Sequence, residues 1–90
     1  MTQSVDIKPT TEERLQAAQE AAAQGRTGEA LRLYSALLGG RQAAVAHKAI
    51  GDLLAQRKND DQAAANYARA IELKPGFAEA HNNLANVLWR

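Results

Sequence analysis

No cysteine occurs among the 90 residues, so disulfide bridges and thiolate metal sites are excluded. Proline appears twice, and the aromatic side chains are only Tyr34, Tyr67, Phe77 and Trp89. A thick aromatic centre is therefore out of reach. Neither sign of charge dominates: the formal net charge is +1, with acids and bases interspersed. Without a basic block, nothing points to nucleic acid or to an anionic membrane surface. No apolar run approaches the ~20 residues needed to span a bilayer. The stretch from Met1 to Thr11 lacks the apolar segment of a signal peptide, and a cytoplasmic location is the expectation.

What the chain does have is alanine, which supplies much of its 46% apolar content. Alanine has the best helix propensity, and its small side chain lets helices approach closely. The length suits one domain, which at this size buries roughly 60–65% of the surface its unfolded chain exposes.

Helix punctuation is dense. Thr10-Thr11-Glu12-Glu13 reads as a capping box, with Thr10 as N-cap and Glu13 at the third helical position. A first helix is expected over 11–24, stopped at Gly25, which accepts the left-handed conformation. Thr27 is expected to cap a second helix over 28–38, ended by Gly39-Gly40. A third is expected over 42–57. A fourth over 60–73 is capped by Asn59 or Asp60 and ended by Pro75-Gly76, and a fifth runs over 77–89. Ala46, Ile50, Leu53 and Leu54 share one helical face, as do Ala63, Tyr67, Ala70 and Ile71.

An internal repeat underlies this punctuation. His47 pairs with His81, Ile50 with Leu84, Gly51 with Ala85 and Leu54 with Leu88, each 34 residues apart. Ala30 pairs with Ala63 and Tyr34 with Tyr67 at a step of 33, and Gly25 falls where Lys58 sits in the next copy. The middle copy reads His47-x2-Ile50-Gly51-x2-Leu54, then Ala63-x3-Tyr67, Ala70 and Pro75. In this it resembles the tetratricopeptide repeat (TPR). His47 and Leu54 depart from the usual tryptophan and tyrosine. In the first copy Arg14, Ala17 and Ala18 replace the large, Leu and Gly positions. The resemblance covers residues 11–90. It implies an all-α fold of antiparallel helical hairpins, five helices stacked as a short right-handed TPR solenoid. The expected organisation is a flexible segment 1–10, a TPR-like repeat 11–43, a TPR repeat 44–77, and the first helix of an incomplete repeat over 78–90.

The same resemblance implies that Ala30, Ala63 and Gly51 lie where the helices of a hairpin come closest. Tyr34 and Tyr67 would then fill the space between hairpins. Because one repeat cannot bury its apolar face alone, the apolar fifth helix, with Leu84, Val87, Leu88 and Trp89, is unexpected for a solvent-facing end. Either the chain belongs to a longer array, or these four residues mediate self-association into a homo-oligomer.

In the family, the first helix of each repeat lines a concave groove. Carried onto this chain, the groove candidates are Lys48, Asp52, Asn82, Asn83 and Asn86. Amides both donate and accept, so they can bond the backbone of an extended peptide; the alternative is that these asparagines are merely solvated. A clamp for a C-terminal carboxylate is not expected, because Asp52 stands where such a clamp needs an asparagine. The run Leu73-Lys74-Pro75-Gly76-Phe77-Ala78-Glu79-Ala80-His81 is similar to the N-terminal repeats of O-linked N-acetylglucosamine transferases. That likeness implies an adaptor array attached to a larger enzyme.

No phosphate-binding glycine loop, metalloprotease motif or nucleophile elbow is present. The expectation is a non-enzymatic scaffold for a protein or peptide partner, with no cofactor and no metal. His47 and His81 occupy equivalent positions in successive repeats, but a zinc pair would lack its other ligands. Asp60-Asp61 and Arg57-Lys58 sit at helix ends whose dipoles already favour their charges.

Overall fold

The computed structural model describes residues 8–90. Among them are five helices: α1 Thr11–Ala23, α2 Thr27–Ser35, α3 Ala43–Gln56, α4 Asp60–Leu73 and α5 Ala78–Leu88. There is no strand among the described residues. Short loops fold each helix back on its predecessor, and the successive pairs pack as stacked hairpins. Most of the segment expected to be flexible, residues 1–7, lies outside the described residues. Lys8–Thr10 form no regular structure before α1.

The capping box is present in both directions. The Glu13 backbone N–H donates to Thr10 Oγ1 at 3.1 Å, and the Thr10 N–H donates to Glu13 Oε1 at 2.9 Å.

The two hairpin turns are copies of each other. At the end of α1, Arg26 N–H donates to Ala21 O at 2.9 Å and Gly25 N–H to Ala22 O at 3.1 Å. At the end of α3, Asn59 N–H donates to Leu54 O at 2.9 Å and Lys58 N–H to Ala55 O at 3.0 Å. Both are Schellman motifs, which put the residue after the cap in the left-handed region. That residue is Gly25 in the first turn, with φ +78°, and Lys58 in the second, with φ +63°. The repeat step seen in the sequence therefore carries a backbone conformation with it.

The same motif corrects the cap expected at Thr27, while the one expected at Asn59 keeps its position. The Schellman turn aims the Arg26 carbonyl at Ala30 N–H (2.9 Å), so α2 starts at Thr27 and Arg26 holds the cap position. Asn59 holds the cap of α4, but its side chain donates to Gln62 Oε1 at 3.0 Å and accepts no backbone N–H. α2 also ends sooner than expected, at Ser35. From there the chain continues in tighter i→i−3 turns, Leu37 to Tyr34 and Leu38 to Ser35, as far as the glycine pair. These turns still bury Leu37.

The core is thin and alanine-rich. One cluster joins α1, α2 and α3 through Ala18, Ala21, Ala30, Tyr34, Ile50 and Leu53. A second joins α4 and α5 through Ala63, Tyr67 and Val87, and half-buried Leu54 touches both. Ala30 and Ala63 are fully buried, and Gly51 is buried too. A Cβ at Gly51 would lie 2.7 Å from the Tyr67 ring, which shows how closely α3 and α4 approach. Tyr67 thus packs on its own hairpin as well as on α5.

Candidate functional site

Asp52, Ala55 and Gln56 share one face of α3 at i, i+3 and i+4. Asn83, Asn86 and Val87 share one face of α5, with Arg90 one turn further on. These two faces form the walls of an open cleft of about 670 Å³. The floor is Tyr67 of α4. Apolar packing of α5 on α4 holds the walls apart, while α5 reaches α3 mainly through polar ties.

Asp52 is the centre of those ties. Its Oδ1 accepts from Tyr67 Oη at 2.6 Å and from Asn83 Nδ2 at 2.7 Å. Its Oδ2 faces Lys48 Nζ at 2.8 Å, and Lys48 also reaches Glu79 Oε2 at 3.0 Å. One carboxylate thus joins three helices. Burial, followed by the Asp52 bond and charge, pushes the Tyr67 phenol well above its ordinary range. Burial pulls the Lys48 ammonium down, but its bonds to Asp52 and Glu79 together outweigh this and the net shift is upward. The Lys48 bond in turn holds the exposed Glu79 carboxyl below its ordinary value. At neutral pH all three keep their usual protonation.

At the far end of the cleft, Arg90 Nη2 donates to Ala55 O at 3.2 Å and lies 3.0 Å from Asp60 Oδ1. Ala55 O belongs to the last turn of α3, where the helix dipole favours a cation.

The groove candidates read from the sequence separate into three groups. Asp52, Asn83 and Asn86 come together in the cleft. Lys48 stands behind it, engaged by two carboxylates. Asn82 is exposed and lies outside the cleft lining. Asn83 is itself committed to Asp52, which leaves Asn86 as the solvent-facing asparagine of this wall. Sequence reasoning missed Gln56, Arg90 and the Tyr67 hydroxyl. The i+4 step from Asp52 and the i+7 step from Asn83 were the available signals for the first two.

The apolar candidates on α5 divide as well. Val87 is buried and Leu84 half-buried against α4, so these two do not belong to an outer face. Leu88 and Trp89 are 63% and 84% exposed. Each histidine has its own partner: His47 Nδ1 lies 3.0 Å from Asn66 Oδ1, and His81 Nε2 lies 2.8 Å from Pro75 O. Among the described residues, no group of three or more His, Cys, Asp or Glu could hold a metal ion. No described helix is long and apolar enough to cross a membrane.

Residues 51–90 match the TPR repeat family. The matched segment contains every residue lining the cleft, while Lys48 stands just before it. TPR repeats generally serve as protein–protein interaction modules. No curated protein matches the chain.

Proposed function

We propose that this chain, whose residues 51–90 carry the TPR match, is a non-catalytic scaffold that holds an extended segment of a partner protein in the cleft between α3 and α5. The supporting observation is the cleft itself. Its floor is rigid, because Tyr67 is buried and bonded to Asp52. Its rim carries exposed amides on opposite walls, Gln56 and Asn86. Each amide presents both a donor and an acceptor, which is what an extended backbone requires on its two sides. Ala55 and Val87 add small apolar contacts between them. A cytoplasmic setting fits a cysteine-free chain. A role as adaptor array of a larger transferase is supported by the Leu73–His81 likeness alone.

The test is a pull-down with the full chain as bait, wild type against the Gln56→Ala/Asn86→Ala double variant. Both substitutions are at exposed positions, so helicity should be unchanged. Partners recovered by the wild type should be lost with the variant, and equal recovery would count against the cleft.

A second reading is favoured by the exposure of Leu88 and Trp89: the chain self-associates through the outer side of α5. Sedimentation equilibrium decides this. A monomer at high concentration sinks it, whereas an oligomer dissolved by Trp89→Glu supports it.

A further inference from the structure

Along α5, Ala78, His81, Ala85 and Leu88 follow one another at steps of three, four and three, the spacing of a coiled-coil seam, and Trp89 stands beside Leu88. All five are exposed. Of the three large apolar side chains exposed among the described residues, two, Leu88 and Trp89, lie on this stripe. Clustered apolar exposure of this kind marks an interaction surface. No charge interrupts it, because Glu79 and Arg90 turn the other way, to Lys48 of α3 and Asp60 of α4.

The chain itself holds a template for what such a stripe receives. One repeat step earlier, His47, Gly51 and Leu54 form the same stripe on α3, and α4 covers it. His47 bonds Asn66, the Tyr67 ring lies against Gly51, and Leu54 packs with Tyr67. α5 differs from α3 in its pattern of sizes. Ala85 stands at the place of Gly51, where a Cβ would lie 2.7 Å from the Tyr67 ring, and Trp89 stands at the place of Ala55. α5 therefore supplies the large ring itself and suits a helix that brings small residues to it. A second α5 is such a helix. Laid antiparallel, Ala78 of one copy meets Leu88 of the other, and Ala85 meets His81, so every layer joins a small residue to a large one. A parallel pair would set Leu88 on Leu88 and Ala78 on Ala78, overfilled at one end and empty at the other.

We infer that the chain forms a twofold-symmetric dimer through an antiparallel α5–α5 pair, with Ala78, His81, Ala85, Leu88 and Trp89 as the contact. The pair rests on the self-association reading above and gives it a geometry. A twofold contact uses the same patch on both copies, so assembly closes at two. Trp89 of each copy lies beside the Leu88 layer and covers the first turn of the other α5. The His81 ring is already tied to Pro75 O at 2.8 Å, so little freedom is lost when it is covered. The cleft lies on the other side of α5 and stays open in the dimer.

Sedimentation equilibrium on the full chain should show monomer and dimer only; larger species would overturn the twofold closure. Leu88→Lys should weaken the dimer by at least about tenfold, because it removes an apolar contact from each layer. Adding Ala78→Glu should recover most of that loss, since each new lysine then faces a new glutamate across the twofold. An acid in the first turn and a cation in the last both suit the helix dipole, so α5 should stay folded, which far-ultraviolet circular dichroism checks. A double variant no stronger than Leu88→Lys alone would overturn the antiparallel pair, because a parallel one brings like charges together. The chain has no cysteine, so the register can also be read covalently. His81→Cys and Ala85→Cys chains, mixed in a thiol–disulfide buffer, should form the mixed disulfide in excess over either like pair, as resolved by mass spectrometry. Like pairs in excess, or no disulfide in a sample that sediments as a dimer, would overturn the geometry and leave the self-association reading standing. A strict monomer at millimolar concentration would end both.

Discussion

Gly51→Ala sets two well-known effects against each other. An alanine inside α3 should gain about 1 kcal/mol of helix propensity over glycine. The added Cβ, however, would lie 2.7 Å from Tyr67 Cε1, 2.8 Å from Cδ1 and 3.0 Å from Cζ. These are atoms of a ring edge, not the tip of a flexible chain. The ring has little room to retreat: Tyr67 is 2% exposed, and its hydroxyl is bonded to Asp52 at 2.6 Å. Relief therefore requires α4 to move off α3, which disturbs Ala63 and the packing of Val87 as well. Overpacking of this kind costs about 1–3 kcal/mol, and a pinned ring puts the cost near the upper end. The net expectation is a loss of about 2 kcal/mol, or about 10 °C in Tm for a domain of this size. Thermal and urea unfolding followed by far-ultraviolet circular dichroism would measure it. Gly28→Ala is the control, because a Cβ there meets nothing within 4 Å. That substitution should be neutral or stabilising by up to about 1 kcal/mol. A Gly51→Ala protein as stable as the wild type would refute the reasoning, since the helices could not then be as close as described.

Two further outcomes are expected. Lys58 sits in the left-handed region with φ +63°, at the position Gly25 holds in the first hairpin, so Lys58→Gly should stabilise the chain by about 1 kcal/mol; a loss of stability in the same unfolding assay would contradict the turn geometry. The Glu79 carboxyl, held down by its bond to Lys48, should titrate below its ordinary value of 4.5 in a carbon-detected NMR titration, and Lys48→Met should return it to that value. Because the folded value is depressed, the stabilisation from this pair is present above the ordinary value and is lost as pH falls through the depressed one. A Glu79 that titrates identically with and without Lys48 would rule the pair out.

The order and approximate ends of the helices were legible because their signals are local. Thr10 and Glu13 close a box across one turn, and Gly25 ends a helix by its own conformational freedom. The apolar spacing of Ala63, Tyr67 and Ala70 marks the buried side of α4. Where the reading slipped, a neighbouring element had intervened. Thr27 lost the cap position because the end of α1 already fixed the direction of Arg26. Val87 left the outer face of α5 because Ala63 and Tyr67 of α4 claimed it. Lys58 gave no glycine signal, yet its equivalence to Gly25 across the repeat step pointed to the same turn.

The candidate site was legible only in part. Asp52, Asn83 and Asn86 could be proposed from their positions in the repeat, but their roles could not be told apart. Residue type and spacing by themselves determined an all-α chain of stacked hairpins, because caps, turn residues and apolar period act within a few residues of one another. Which amides are free and which are committed was decided only by the tertiary structure. Asp52 takes its donors from Tyr67 and Asn83, 15 and 31 residues away in the chain, and such meetings depend on how closely three separate helices pack.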